Sequence, residues 1–147
     1  MSDQGAGARP EDDRVLSIIR DELAPYGDVA TVEFGYQQRA RIWFTTVQPH
    51  VAGAAAMEAA FGGDDTLLLR AGGAQAELFP LEEPVWDVLR QIVAAVLAGD
   101  FSEVGNPPDA TGRVTGPNGT RTFGPARVLY LSRWRHARTY LLFGTRD

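Results

Sequence analysis

Two segments of the chain place apolar residues at helical spacing. In Glu11–Leu23, acidic residues fill the first turn, Pro10 precedes them and Gly27 follows the segment, all of which favour a helix there. In residues 82–99, "EEPVWDVLRQIVAAVLAG", a wide apolar stripe ends at Gly99, which suits the end of a helix. The width of this stripe predicts that the second helix is buried in the core.

Other apolar residues alternate with polar ones, as in strands that bury one face. Three pairs of such segments flank short turns and predict hairpins: residues 29–36 with 40–45, residues 66–70 with 74–79, and the two halves of residues 112–124. The last hairpin is predicted to turn at Pro117-Asn118-Gly119. Residues 100–111 are predicted to be a polar connector.

The segment from Pro49 to about Phe61 predicts a third helix. It is rich in alanine, proline is tolerated in a first helical turn, and Gly62-Gly63 would stop the helix. The order of elements favours the α+β class, with a mostly antiparallel sheet and about three helices in a single layer against it. We expect residues 1–9 to be a flexible polar leader and residues 10–147 to form a single domain.

The composition changes this picture mainly by what it excludes. The chain has 147 residues, a length typical of one domain. It has no cysteine, which excludes disulfides, cysteine nucleophiles and cysteine-ligated metals. No apolar run approaches the roughly 18 residues of a membrane span, and the first residues lack the order of a signal peptide. We therefore expect a cytoplasmic protein that does not contact a membrane.

Charge is distributed unevenly along the chain. Residues 1–110 contain 18 acidic and 7 basic residues, whereas residues 111–147 contain 1 acidic and 7 basic residues. The whole chain has a net charge of −5. Such asymmetry is compatible with a binding face, and equally with an acidic body and a basic terminal sheet that attract each other in the fold.

The sequence contains no complete catalytic, metal or cofactor motif. Its glycine-rich stretches lack the strand and helix context of a phosphate-binding loop. His50 and His136 are the only histidines, and no cluster offers three metal ligands. Ser132 lies four residues from His136 but in no strained elbow motif, and carboxylate pairs such as Asp64-Asp65 are explained by capping and solvated turns. We therefore predict a protein that is not an enzyme and has no cofactor.

The most basic stretch, Arg127–Gly144, is predicted to be a hairpin with apolar arms and a charged turn at residues 133–138. A nucleic-acid surface would instead interleave aromatic and basic side chains along an exposed face. The net charge of −5 also repels a polyanion, so we expect no nucleic-acid partner. The candidate contacts to a protein partner are the charged residues of this turn and of one acidic turn: Arg133, Arg135, His136, Arg138, Asp64 and Asp65.

The C-terminal half also contains several features that occur together in a known class of proteins. "VWDVLRQIVAAVLAGDFSEV" is a hydrophobic helix that ends in Gly-Asp with an acidic residue shortly after, and "GRVTGPNGTRTFG" and "TYLLFG" follow it. Residues 84–144 thus resemble the small α+β immunity proteins that bacteria encode beside polymorphic toxins. The resemblance implies a non-enzymatic protein that binds and occludes a cognate toxin. The acidic body is compatible with this role, because many toxin active sites are basic.

Two functional hypotheses follow. The first is a cytoplasmic module that binds another protein, with an immunity protein as one version of it. The alternative is a small-molecule-binding or enzymatic α+β domain, whose pocket lies between the sheet and the buried helix and is lined by Trp43, Trp86 or Tyr140. The sequence leaves the oligomeric state open.

Overall fold

The computed structural model describes residues 10–39, 41–61, 66–105, 110–117, 119–124 and 137–144. These residues form two α-helices, a short 3-10 helix at Ala24–Tyr26 and nine strands in two antiparallel sheets. In chain order the elements are α1 Pro10–Leu23, β1 Ala30–Gln37, β2 Ile42–Pro49, β3 Met57–Phe61, β4 Leu67–Ala71, β5 Ala74–Leu78, α2 Glu83–Leu97, β6 Phe101–Val104, β7 Thr111–Gly116, β8 Gly119–Phe123 and β9 Arg138–Thr139. The α+β class with mostly antiparallel strands is therefore confirmed.

The first sheet contains β1 to β5, paired in chain order, and every neighbouring pair is antiparallel. Alternation along the strands separates a buried face from an exposed one. Val47, Met57 and Leu69 lie on the buried face and belong to the same core cluster as the helices, whereas Glu33 and Glu58 lie on the opposite, exposed face. The hairpins β1–β2 and β4–β5 confirm the predictions made from this alternation.

The predicted third helix is wrong. Pro49 is the last residue of β2, and Met57–Phe61 forms β3, which pairs with β2 on one side and with β4 on the other. Met57, Ala59 and Phe61 are buried at alternate positions of this strand. Pairing with two neighbouring strands supplies every backbone group of a central strand with a partner, and this tertiary contribution outweighs the helical preference of alanine.

The second sheet has the order β8-β7-β6-β9. The hairpin β7–β8 was predicted, whereas β6 lies in the segment that was predicted to be a connector. Phe101 and Val104 of β6 are buried, and β7 and β9 pair with the two edges of this strand. Arg138, predicted to lie in a turn, lies in β9, and residues 133–136 of that turn are outside the described residues.

The two helices pack against each other and join the inner faces of both sheets. α1 contacts β2 and β3 of the first sheet, and α2 contacts β7 of the second. The prediction that the second helix is buried is confirmed, because its apolar stripe is almost fully inaccessible to solvent. The buried residues of this helix are Trp86, Leu89, Ile92, Val93, Ala95, Val96 and Leu97.

Candidate functional site

A cleft of about 630 Å³ lies between β5, α2 and β8. β5 and β8 are each the outermost strand of their sheet, so the cleft separates the edges of the two sheets. Its apolar lining residues are Ala76, Leu78, Val88, Ile92 and Phe123. Its polar lining residues are Gln75, Glu77, Arg121 and Thr122, and Gly124 completes it.

The two sheet edges meet at one corner of this cleft. Ala74, the first residue of β5, forms an isolated parallel bridge with Ala110, just before β7. Gly124, just after β8, has a φ of +111°, and a Cβ added there would lie 2.8 Å from the carbonyl oxygen of Ala110 and 3.6 Å from that of Gln75. Only glycine accommodates both this conformation and this close approach. Beyond the corner, β5 and β8 leave the gap that forms the cleft.

The register of β8 defines the position of Arg121. Arg121 pairs with Val114 and Phe123 pairs with Gly112, so these side chains share one face of the second sheet. Val114 and Phe123 are buried, so this is the face that packs on the core. Arg121 itself is exposed and forms no hydrogen bond or ion pair with any described residue. The cleft therefore combines an apolar floor with one unpaired guanidinium.

The edge of β5 that borders the cleft has backbone groups without a partner among the described residues. In an edge strand, every second residue directs its N–H and C=O away from the sheet. Among the described residues, no backbone hydrogen bond joins residues 75–78 to a strand other than β4. Phe79 follows this strand directly and is 65% exposed, which is unusual for so large an apolar side chain. The exposed ring of Phe79 thus belongs to the residue directly after the strand that borders the cleft, although Phe79 is not among the lining residues.

A second polar arrangement lies at the other end of β5, and we call it the buried cluster because its central carboxylate is buried. Glu103 of β6 is only 1% exposed, and its Oε2 accepts the backbone N–H of Gly73 at 3.0 Å. Its Oε1 accepts the phenol of Tyr140 and lies 3.5 Å from Nε of Arg138. Arg138 also donates to the carbonyl oxygen of Gly105. Burial, and next the hydrogen bond to Glu103, raises the pKa of Tyr140 to about 12.

This buried cluster has the geometry of a structural contact. Glu103 is inaccessible to a substrate, and both of its carboxylate oxygens have partners. Through Gly73 the cluster attaches the β4–β5 turn of the first sheet to β6 and β9 of the second.

Elsewhere in the described residues, His50 contacts Thr31 at 3.0 Å, and no group of three His, Asp or Glu side chains is placed to hold a metal ion.

Of the six predicted partner contacts, only Arg138 is described, and it pairs with buried Glu103. The other five lie outside the described residues: Arg133, Arg135, His136, Asp64 and Asp65. The aromatic residues predicted to line a pocket do not line the cleft. Trp43 stacks on Phe34 with ring centroids 5.0 Å apart, Trp86 is buried in the core, and Tyr140 binds Glu103.

The residues that do line the cleft were missed by sequence reasoning. One signal lay next to them: Phe79, the last residue of the predicted strand 74–79, is a large apolar residue directly before Pro80. Among the described helices, none is long and apolar enough to cross a membrane.

Comparison with known proteins found no matching family model, no matching curated protein and no matching solved structure.

Proposed function

We propose that the protein is a cytoplasmic, non-enzymatic module that binds another protein, and that it does so at the cleft between β5 and β8. The observation that best supports this proposal is the exposed ring of Phe79 directly after a strand edge that has no partner in the described part of the chain. Exposed aromatic side chains next to a concave apolar surface are typical anchors of protein interfaces. The backbone groups of β5 that no described residue pairs with add hydrogen-bonding capacity at the cleft.

An immunity protein remains the specific version of this proposal. The resemblance of residues 84–144 to bacterial immunity proteins supports it, and the acidic character of residues 1–110 suits a basic toxin. The first test is therefore co-purification with the products of genes adjacent to its own. Protection of cells against an adjacent toxin, together with a stable complex, is the expected result. Failure to bind any adjacent gene product would contradict the immunity version.

Paired variants test where a captured partner binds. Phe79→Ser should leave the circular dichroism spectrum and the thermal midpoint unchanged, because the ring is mostly exposed, but should weaken the complex. Leu142→Ser is the matched control, since Leu142 is 47% exposed and lies beside Gly99, after the C-terminal end of α2, rather than next to β5. Isothermal titration calorimetry measures both. Loss of affinity in the Leu142 variant alone would place the partner on the C-terminal segment and contradict the proposal.

A small-molecule ligand is the second candidate, and the size of the cleft favours it. Ligand pockets typically have volumes of about 300–1,000 Å³ and a mainly apolar lining with few polar groups. The cleft has a volume of about 630 Å³ and an apolar floor. A thermal-shift screen of nucleotides, sugars and acyl compounds tests this candidate, because a ligand of the native state raises its apparent stability by mass action. An unchanged midpoint across the screen would contradict it.

A further inference from the structure

We infer that the cleft binds an extended, acidic segment of a partner protein, which adds to the first sheet as a sixth strand beside β5. This inference rests on the proposed protein-binding function and specifies what the partner must contribute. Three features of the cleft support it: the edge of β5 and the charge of Arg121, neither of which has a partner among the described residues, and the apolar floor to which α2 contributes.

The edge of β5 selects an extended backbone. Four consecutive residues of this strand, 75–78, border the cleft, and every second one directs its N–H and C=O toward it. A small molecule with a few polar atoms would leave most of these N–H and C=O groups without a hydrogen-bond partner, whereas the backbone of an extended chain matches their spacing along the strand. The corner at Gly124 closes one end of the cleft, so the segment runs away from that corner toward Phe79.

The two faces of the added strand would then meet different surroundings. Ala76 and Leu78 lie on the face of β5 that packs toward α2, where Val88 and Ile92 form the floor. Side chains at alternate positions of the bound segment share that face, so they should be apolar. The other positions share the face of Gln75 and Glu77, which tolerates polar residues because Glu77 is exposed.

The positive charge of Arg121 favours a bound segment that carries a negative charge. Its guanidinium is on the core-facing side of β8, across the cleft from β5, and no described residue neutralises it. A carboxylate on the bound segment would pair with it, with the bidentate geometry that guanidinium favours. Glu77 also lines the cleft, but it forms no ion pair with Arg121 and lies on the opposite face of β5 from Ala76 and Leu78. The segment is therefore expected to combine alternating apolar residues with at least one Asp or Glu.

The probe is a displayed library of random ten-residue peptides, selected against the full chain. Enriched peptides should alternate apolar residues and contain an acidic residue, and Arg121→Glu should weaken their binding by at least about tenfold. Arg20→Glu, an equal charge change at an exposed position of α1, should leave binding within about twofold, because residue 20 does not line the cleft. Selection against the Arg121 variant should enrich peptides with Lys or Arg at the acidic position.

Amide hydrogen exchange separates strand addition from other modes of binding. A bound peptide should slow exchange at alternate residues among 75–78, because their outward N–H groups gain partners. Binding of peptides or of a partner without this protection, or without an effect of Arg121→Glu, would overturn the inference and leave the protein-binding function standing. If no peptide is enriched and no partner binds, both fail. If decanoate or inorganic phosphate saturates the cleft while no peptide is enriched, the ligand is a small anion and the inference is wrong.

Discussion

Replacement of Trp86 by alanine tests the packing of the two helices. Trp86 lies on α2 and is 3% exposed, so its indole is almost completely removed from water. The guanidinium carbon of Arg14, on α1, lies 4.7 Å from the centroid of the indole ring. The same guanidinium donates to Oε1 of Glu83 at 2.6 Å, which places it over the ring. The indole is therefore part of the contact between α1 and α2.

The expected loss of unfolding free energy is about 3–5 kcal/mol, the usual range for deletion of a buried large aromatic side chain. The cation–π contact accounts for only about 0.5–1 kcal/mol of it, because the side chain of Arg14 is 38% exposed. A loss of this size is a large fraction of the roughly 5–15 kcal/mol that stabilises a typical domain. Packing of the indole, rather than its contact with Arg14, should thus dominate the effect.

Urea denaturation followed by far-ultraviolet circular dichroism measures this loss. Trp86→Phe is the matched control, because phenylalanine retains a ring at the helix contact and leaves a smaller cavity, so it should lose less than the alanine variant. Arg14→Gln should lose no more than about 1 kcal/mol, since it removes only the exposed cation. A loss below about 1 kcal/mol for Trp86→Ala would refute the reasoning, because it would mean that the indole contributes little to the contact of α1 with α2.

Two further variants test the second sheet. Burial and hydrogen bonding raise the pKa of Tyr140 from its ordinary value of about 10 to about 12, so the phenol stabilises the fold fully below pH 10 and progressively less as pH rises through 12. The free energy of unfolding of the wild type should therefore approach that of Tyr140→Phe between these values. Urea titrations at pH 8 and pH 11.5 measure the difference in unfolding free energy between the two proteins, and an equal difference at both pH values would contradict this assignment. Gly112→Ala should destabilise by about 1–3 kcal/mol, because the added Cβ would lie 2.6 Å from Cζ of Phe123 and 2.8 Å from Cε1 of Phe101. A thermal midpoint equal to that of the wild type would show that these rings move aside without cost.

Local periodicity predicted the elements whose neighbours are close in sequence. The helices α1 and α2 and the hairpins β1–β2, β4–β5 and β7–β8 all follow from patterns within about 25 residues. β3 did not follow, because its strand state depends on β2 and β4 rather than on its own alanine-rich composition. An alanine-rich segment after a proline is compatible with either structure until the flanking strands are in place.

The strand β6 and its buried carboxylate illustrate a different limit. Ser102 and Glu103 make this segment polar in sequence, yet Glu103 is 1% exposed. Its partners Gly73 and Tyr140 are 30 and 37 residues away in the chain, so no local pattern indicates that the carboxylate is satisfied. The alternative hypothesis expected a pocket between the sheet and the buried helix, but it missed the residues that line the cleft. One wall of the cleft comes from β8 of the second sheet, and periodicity does not determine how two sheets sit relative to each other.

The buried cluster and the cleft are connected through β5. Glu103 accepts a hydrogen bond from the backbone N–H of Gly73. The next residue, Ala74, begins β5 and forms a β-bridge with Ala110, just before β7 of the second sheet. One end of the strand is thus attached to the second sheet by a carboxylate contact and a backbone bridge, while residues 75–78 extend along the open cleft. An edge that is already held in position loses little conformational entropy when a partner strand adds to it. The cluster therefore attaches one end of β5 to the second sheet, and under the proposed function this contact would hold the binding edge in position.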